Sequence, residues 1–561
     1  MKKTLILAVA LLTGCANQQQ LQNTTDTESL LSYTSEITPE FLQEHLSTLA
    51  SDEFEGRATG MEGQKKAAEY IADFYTDIDF EPMGDNNSYF QRFLLNAQLT
   101  DSLVYRLSET TSTGPQVINH TVESKDSNGE FIRLFGGTVP LQGEIVFAGF
   151  GVNDPERSVS NLEGTDLTDK WVMIFEDIPY IVNGDTLVNP GISSNSRIGS
   201  ILGSRNAKGL LIISDYTSSE FDELANVASN LMAKSSNMSL AYLEDGPSRS
   251  GFPKGFVQIS PEMASTILDL ENVNSLWDHK KSLISDISEF RASETPFSLE
   301  YTPYDGPSQV ESENVIAYME GADPELKDEV LVLMAHYDHI GITQPDETGD
   351  RINNGADDNG SGTTALMAVA NALSEARSDG YRPKRSVLFL HVTAEELGLL
   401  GSRYYSDHPV IPIENTVVNF NADMIGRSDP ENIKRGDTDY VYLIGGEIIS
   451  SELDSLVQVG NSNSVNMRLD RRYNDLEDAN QFYRRSDHWN FGRLSVPFVF
   501  FFTGVHEDYH QPSDSVDKID FPKLTKIAQL IYASSIEVTN YDGRPEVDNQ
   551  QFIKITESQP R

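Results

Sequence analysis

The most constraining feature of this sequence is a pattern repeated through its C-terminal half: a short apolar run followed closely by acids or histidines. Val330–Met334 runs into His336-Tyr337-Asp338-His339, and Ser386–His391 into Glu395-Glu396. Val417–Phe420 runs into Asn421-Ala422-Asp423, and Val496–Phe502 into His506-Glu507-Asp508-Tyr509-His510. A fifth cluster, Gly355-Ala356-Asp357-Asp358-Asn359-Gly360-Ser361-Gly362, opens a helical stretch from Ser361 to Ala376. Unbroken apolar runs suit strands buried on both faces of a sheet. These runs, with another at Tyr440–Ile444, alternate with helical stretches around Ser402 and over Pro522–Val538. The alternation predicts an α/β fold with a mostly parallel mixed sheet flanked by helices. Ligands bind open sheets of this kind beyond the carboxyl ends of the strands. The clusters are therefore predicted to converge on one crevice.

Upstream, Thr38-Pro39 caps a helix that places Phe41, Leu42, His45, Leu46 and Leu49 on one face. A polar turn, Ser51 to Arg57, leads to a second helix at Glu62–Tyr75, with Ala67, Tyr70, Ile71 and Phe74 at helical spacing. From about Phe90 to Phe297 short strands dominate, among them Glu144–Gly151, Trp171–Phe175 and Leu210–Ile213, with a helical stretch at Ser200–Ala207. No acid/His cluster with metal-ligand spacing occurs there. The reading is an inserted β-rich region at 96–300, between an N-terminal piece at 38–95 and the main domain at 301–545, with a tail at 546–561.

Charge narrows the partners. Asp and Glu number 86 against 42 Lys and Arg, a net charge of −44. Such a polyanion is repelled by nucleic-acid backbones and anionic headgroups, so neither is an expected partner. The single cysteine, Cys15, excludes an intrachain disulfide. Lys2-Lys3 followed by the apolar Thr4–Leu12 is shorter than the ~20 residues of a spanning helix. It reads as an export signal over residues 1–14. Leu12-Thr13-Gly14-Cys15 resembles a bacterial lipobox. That resemblance implies cleavage before Cys15, lipidation of its thiol, and an exported protein held to a membrane by its N-terminus alone. Ala16 after the cysteine favours the outer membrane of a Gram-negative host, and the polar stretch that follows, up to residue 37, reads as a flexible tether.

Two histidines with three carboxylates suit borderline divalent ions such as zinc, and a bridging carboxylate suits a pair of them. Such a pair can share a water and lower its pKa, while a carboxylate outside the ligand set moves the proton. At this point the motifs carry a resemblance. The segments Ala335–Gly341, Gly355–Gly362, Glu395-Glu396, Asn421–Arg427, Ser486-Asp487-His488 and Tyr509–Asp514 resemble, in order, those of M28 co-catalytic zinc aminopeptidases. The likeness implies a zinc-exopeptidase fold, two Zn2+ per chain, and peptide substrates with a free N-terminus. It implies that His336 and Asp423 hold one zinc, that Glu396 and His510 hold the other, and that Asp358 bridges them, with Asp357 as its rival. Glu395 would be the general base acting on the bridging water. Asp338 would accept the far N–H of His336. Tyr509 would donate to the developing oxyanion or pack as a wall residue, and Asp487 would support the site from behind.

Residues of about 135–290 also resemble a protease-associated (PA) domain inserted in M28 chains, on the strands named above and Ala207-Lys208-Gly209. His506-Glu507-Asp508-Tyr509-His510 matches the letters of the zincin motif, which needs a helix. Gly504 before it and Pro512 after it argue against one. Asp126–Glu130 and Asp85–Asn87 have letters of calcium loops and read as turns. The leading functional reading is a metallo-aminopeptidase. Rival readings are carboxypeptidase-like cleavage or glutaminyl cyclisation on the same fold, and a non-enzymatic binding lipoprotein. A carboxypeptidase needs a cation for the substrate's carboxylate, for which Arg427, Arg484 and Arg485 are candidates.

Overall fold

The computed structural model describes residues 25–557, apart from 112–113, 124–129, 137–138, 218, 222–223, 226–237, 244–253, 344 and 347. The residues read as an export signal, Cys15, positions 16–24 of the tether and most of the Asp126–Glu130 turn lie outside the described residues. The rest of the expected tether is not one: Thr27–Ser32 forms a short helix capped by Asp26, and Leu30 and Ile37 are buried in the core. Thr38 Oγ1 accepts the Phe41 N–H, and Pro39 opens α1 (Pro39–Leu49), which buries Leu42, Leu46 and Leu49. Helix α2 (Glu62–Asp77) buries Ala67, Ile71 and Tyr75, while Tyr70 and Phe74 pack half-buried against the same core.

The next region contributes β1 (Phe90–Thr111), β2 (Phe131–Gly136), β3 (Leu141–Phe147), β4 (Trp171–Phe175), β5 (Gly209–Ile213), β6 (Gly255–Ile259) and β7 (Ser293–Met319). The C-terminal part contributes β8 (Val330–His336), α3 (Gly362–Ser378), β9 (Ser386–Val392), β10 (Thr416–Ala422), β11 (Tyr440–Gly445), β12 (Arg468–Asp470), β13 (Phe498–Phe502) and α4 (Phe521–Asn540). All these strands lie in one sheet, of order β12-β11-β13-β10-β8-β9-β7-β3-β4-β5-β6-β2, with β1 off this path and paired to β7. Strands β9, β8, β10 and β13 run parallel, with antiparallel neighbours β7 and β11 on either side. This is the mostly parallel mixed sheet that the apolar runs predict. The strand expected from Val496 starts at Phe498, after Pro497, whose missing N–H cannot join a ladder.

Side chains alternate across the sheet. Leu331, Leu333 and Ala335 of β8, with Val387 and Phe389 of β9, face the core under α1, α2, α3 and α4. Val330, Val332, Met334, Leu388 and Leu390 face the opposite layer, with Tyr405 and Phe491. Both faces are covered, which is why these strands carry no polar alternation.

Strand β7 joins the two parts. Its Val315–Met319 pairs with β9, its Ser293–Tyr301 region pairs with β3, and β1 runs alongside it. The inserted region keeps the strands read from its sequence and adds two helices that reading did not pick out. Strands β3, β4, β5 and β6 run parallel. Helices Pro261–Ile267 and Val273–Ser285 cover one face with Met263, Ile267, Leu276 and Leu283. Ile201 and Leu202 cover the other. Among the described residues no helix is long and apolar enough to cross a membrane.

Candidate metal centre

The parallel strands of the C-terminal part end on one edge, and the expected residues meet there. His336 is the last residue of β8 and Asp423 follows β10 directly. Glu395 and Glu396 lie in the loop after β9, Asp358 in the loop before α3, and His510 in a turn beyond β13. Asp358 is the central group. Its Oδ1 lies 3.3 Å from His336 Nε2, and its Oδ2 lies 3.2 Å from His510 Nε2. Asp423 Oδ1 is 3.5 Å from His336 Nε2, and Glu396 Oε2 is 3.1 Å from His510 Nε2. Each oxygen of Asp358 thus faces a different imidazole. Asp357 is turned away: its Oδ1 accepts the Gly426 N–H at 2.6 Å, and its Oδ2 lies 3.2 Å from His506 Nε2.

Several side chains hold this arrangement from behind. Ser486 Oγ donates to Asp423 Oδ2 at 2.7 Å. His336 Nδ1 finds the main-chain carbonyl of Asp338 at 3.1 Å, whereas the Asp338 carboxylate lies at 3.7 Å. The expected contact therefore falls to the backbone of that residue. Its carboxylate instead accepts from Thr59 Oγ1 (2.9 Å) and from the Glu395 N–H (3.2 Å), which fixes the loop carrying Glu395.

Two residues that the sequence reading left without a role are prominent. His339 places Nδ1 2.8 Å from Glu396 Oε1, on the carboxylate oxygen that does not face His510. Arg57, 1% exposed, donates to the carbonyls of Leu49, Tyr337, Asn354 and Gly355. It ties the turn after α1 to the loops bearing His336 and Asp358. Its only sequence signal was an arginine beside glycine in a polar turn, which is a weak one.

The electrostatics are one-sided. Among the described residues no lysine or arginine forms an ion pair with Asp358, Glu395, Glu396 or Asp423; the near cations are histidines. Burial pushes the Glu395 carboxyl up, and the adjacent Glu396, Asp487 and Asp423 add to this against His336. Burial works against protonation of His510, but Asp358 and Glu396 outweigh it and push that imidazole up to about 10. Asp423 Oδ1 is buried without a hydrogen-bond partner. His336, Asp358 and Asp423 bring donor atoms within 4.8 Å of one another, and so do His339, Asp358 and Glu396. Buried imidazole and carboxylate donors lacking fixed cations fit divalent ions of the zinc type.

The decoys resolve as well. Residues 507–510 form a turn and no helix, and His506 faces Asp357, so the two histidines of the zincin-like string serve different carboxylates. Asp487 accepts from Ser402 Oγ at 2.5 Å, and burial pushes it up to about 7. His488 stacks on Phe500 at 4.6 Å, so Ser486-Asp487-His488 makes no triad. The Tyr509 ring stacks on His510 at 3.9 Å and lines the cleft. Facing the ligand side is an apolar wall that includes Met424, Phe482, Phe500, Phe502 and Val505, with Arg485 also lining the cleft.

Fold and site together define an α/β protein with two sets of metal-donor side chains around one shared carboxylate. Residues 314–535 match the model of Peptidase family M28. Aminopeptidase YwaD of Bacillus subtilis is 28% identical over 257 residues, covering 43% of this chain and 48% of that protein. Leucine aminopeptidase 2 of Trichophyton equinum is 32% identical over 275 residues, covering 43% and 49%. The chain thus spans about half the length of the curated relatives it matches. The crystal structure of BSAP, a zinc aminopeptidase from Bacillus subtilis, aligns over 91% of this chain and 98% of its own, with a TM-score of 0.51 and 17% identity. At that identity the likeness concerns the fold.

Proposed function

We propose that this chain is a dizinc metallo-aminopeptidase that removes N-terminal residues from peptides. The observation that carries the reading is Asp358, with one oxygen toward His336 and the other toward His510, in a buried acid cluster that has no ion pair with a lysine or arginine among the described residues. In this reading His336 and Asp423 hold one zinc, Glu396 and His510 the other, and Asp358 both. When bound, the ions would supply Lewis acidity at the scissile carbonyl and acidify water. Glu395, whose proton affinity is raised, takes the proton of the attacking water and delivers it to the leaving amine. His339 holds one oxygen of Glu396 so that the other faces His510. Burial and the surrounding carboxylates push the Tyr509 hydroxyl well up, so it stays a neutral donor suited to a developing oxyanion. The apolar wall suits a hydrophobic N-terminal side chain.

The names of the matched relatives support the same activity and metal. The lipobox-like Leu12–Cys15 supports export and an N-terminal lipid anchor, and the strand motifs at about 135–290 support a PA-like insertion. The deciding assay uses free-amine aminoacyl p-nitroanilides beside their N-acetylated twins. Cleavage of the free-amine series alone, lost to phenanthroline and restored by zinc, is the expected result. Zinc-loaded protein that cleaves neither series defeats the reading.

A further inference from the structure

We propose that Arg485 receives a carboxylate of the bound peptide, an assignment that rests on the aminopeptidase reading of the cleft. The guanidinium lines the same cleft as His336, Asp358, Glu395 and Asp423. It is exposed, lies 5.3 Å over the Phe482 ring, and has no hydrogen bond or ion pair among the described residues. In a chain with twice as many acids as bases, an arginine in an acid-rich cleft without an acid partner calls for an explanation. The other arginines near the cleft are committed. Arg427 pairs with Asp508 at 2.8 Å, Arg57 spends its donors on carbonyls, and Arg484 bonds Gln481. Of the cleft's acids, Asp358 and Asp423 face His336, and Glu395 is the one that the proposed reading keeps for proton transfer. The ring of Phe482 supports the guanidinium while its N–H groups stay unpaired. A planar fork of donors with no protein acceptor matches a carboxylate in two-point fashion.

Two parts of a peptide could supply that carboxylate: the C-terminus of a short peptide, or an acidic side chain on its N-terminal residue. Calorimetry on zinc-loaded protein carrying Glu395→Gln, which keeps peptides intact during titration, separates them. Leucyl-glycine is compared with leucyl-glycinamide, and glutamyl-glycinamide with glutaminyl-glycinamide. The expected result is binding about tenfold or more tighter for the acid member of one pair. Preference in the first pair assigns the C-terminus, and preference in the second assigns the side chain. Adding Arg485→Met brings that preference below about twofold, and Arg485→Lys keeps part of it. Acid and amide bound within twofold in both pairs, or a preference that survives Arg485→Met, overturns the proposal. The peptidase reading is judged separately: unmutated protein with zinc that releases no leucine from leucyl-glycinamide defeats that reading and leaves the binding comparison standing.

Discussion

One sheet carries two sets of parallel strands, and their carboxyl ends have been used differently. In the inserted region, β4 and β5 are followed directly by Glu176-Asp177 and Ser214-Asp215. Those acids are answered by the protein itself. Lys280 Nζ lies 2.8 Å from Asp177 and 2.5 Å from Asp215, and Gln258 donates to Glu176 at 3.0 Å. Arg197 caps the carbonyls of Phe150, Phe175 and Glu176. Beyond β8, β9 and β10 the acids are more deeply buried, and among the described residues their ion pairs are with histidines alone. Strand-end acids are thus common to both regions. What marks the candidate metal centre is that, among the described residues, its buried carboxylates form no ion pair with a lysine or arginine.

The largest expected effect is at Glu395, the acid that the reading keeps free for proton transfer. Glu395→Gln should lower kcat by about a thousandfold while zinc content, read by elemental analysis, stays at the unmutated level. Loss of bound zinc in that variant would instead make Glu395 a ligand and erase the distinction from Glu396. Next comes Arg57, which anchors the ligand loops through carbonyls alone. Arg57→Met strands several buried carbonyls and should cost about 3–5 kcal/mol in urea denaturation. It should also weaken zinc retention against a competing chelator. Arg57→Lys should recover only part, because an ammonium lacks the fork that reaches separate acceptors.

A smaller effect is expected in the inserted region. Lys280→Met should destabilise by about 1–2 kcal/mol, and adding Asp215→Asn should return part of that. Cleavage of leucyl substrates should stay within about twofold of the unmutated rate in both variants. A large loss of activity would show that the two strand-end systems are coupled. The smallest effect concerns a satisfied acid in the C-terminal part. Asp429 is held down to about 2; burial opposes this, and the Tyr442 and Tyr440 hydroxyls with the Asn432 donors outweigh it. A lowered folded pKa gives stability that is present above the unfolded value near 3.8 and lost as pH falls through about 2. Asp429→Asn should therefore cost about 1 kcal/mol at neutral pH. The gap from the unmutated protein should close between pH 4 and pH 2 in acid titrations followed by circular dichroism.

Much of the fold could be read because the strands of the C-terminal part are buried on both faces and announce themselves as apolar runs. Val330–Met334, Ser386–His391 and Tyr440–Ile444 each fall inside an observed strand. The helices at Pro261–Ile267 and Val273–Ser285 escaped notice although Ser260 and Asn272 cap them: the first has 7 residues, and the second buries just Leu276 and Leu283. Arg57 escaped for a different reason. Its partners are carbonyls, and a carbonyl leaves no trace in residue identity.

The sequence by itself determined which acids and histidines would meet at the strand ends. Acid and histidine side chains placed just beyond apolar strands gather where parallel strands end, and residues 314–535 match the model of Peptidase family M28. The tertiary structure alone decided the assignments within that set. It turned Asp358 toward two imidazoles and Asp357 away, gave the His336 contact to the carbonyl of Asp338, set His339 against Glu396, and left Arg485 unpaired in the cleft. The reason is physical. Residue type fixes what a side chain can donate or accept, whereas direction is set by the backbone that carries it and by the groups packed behind it.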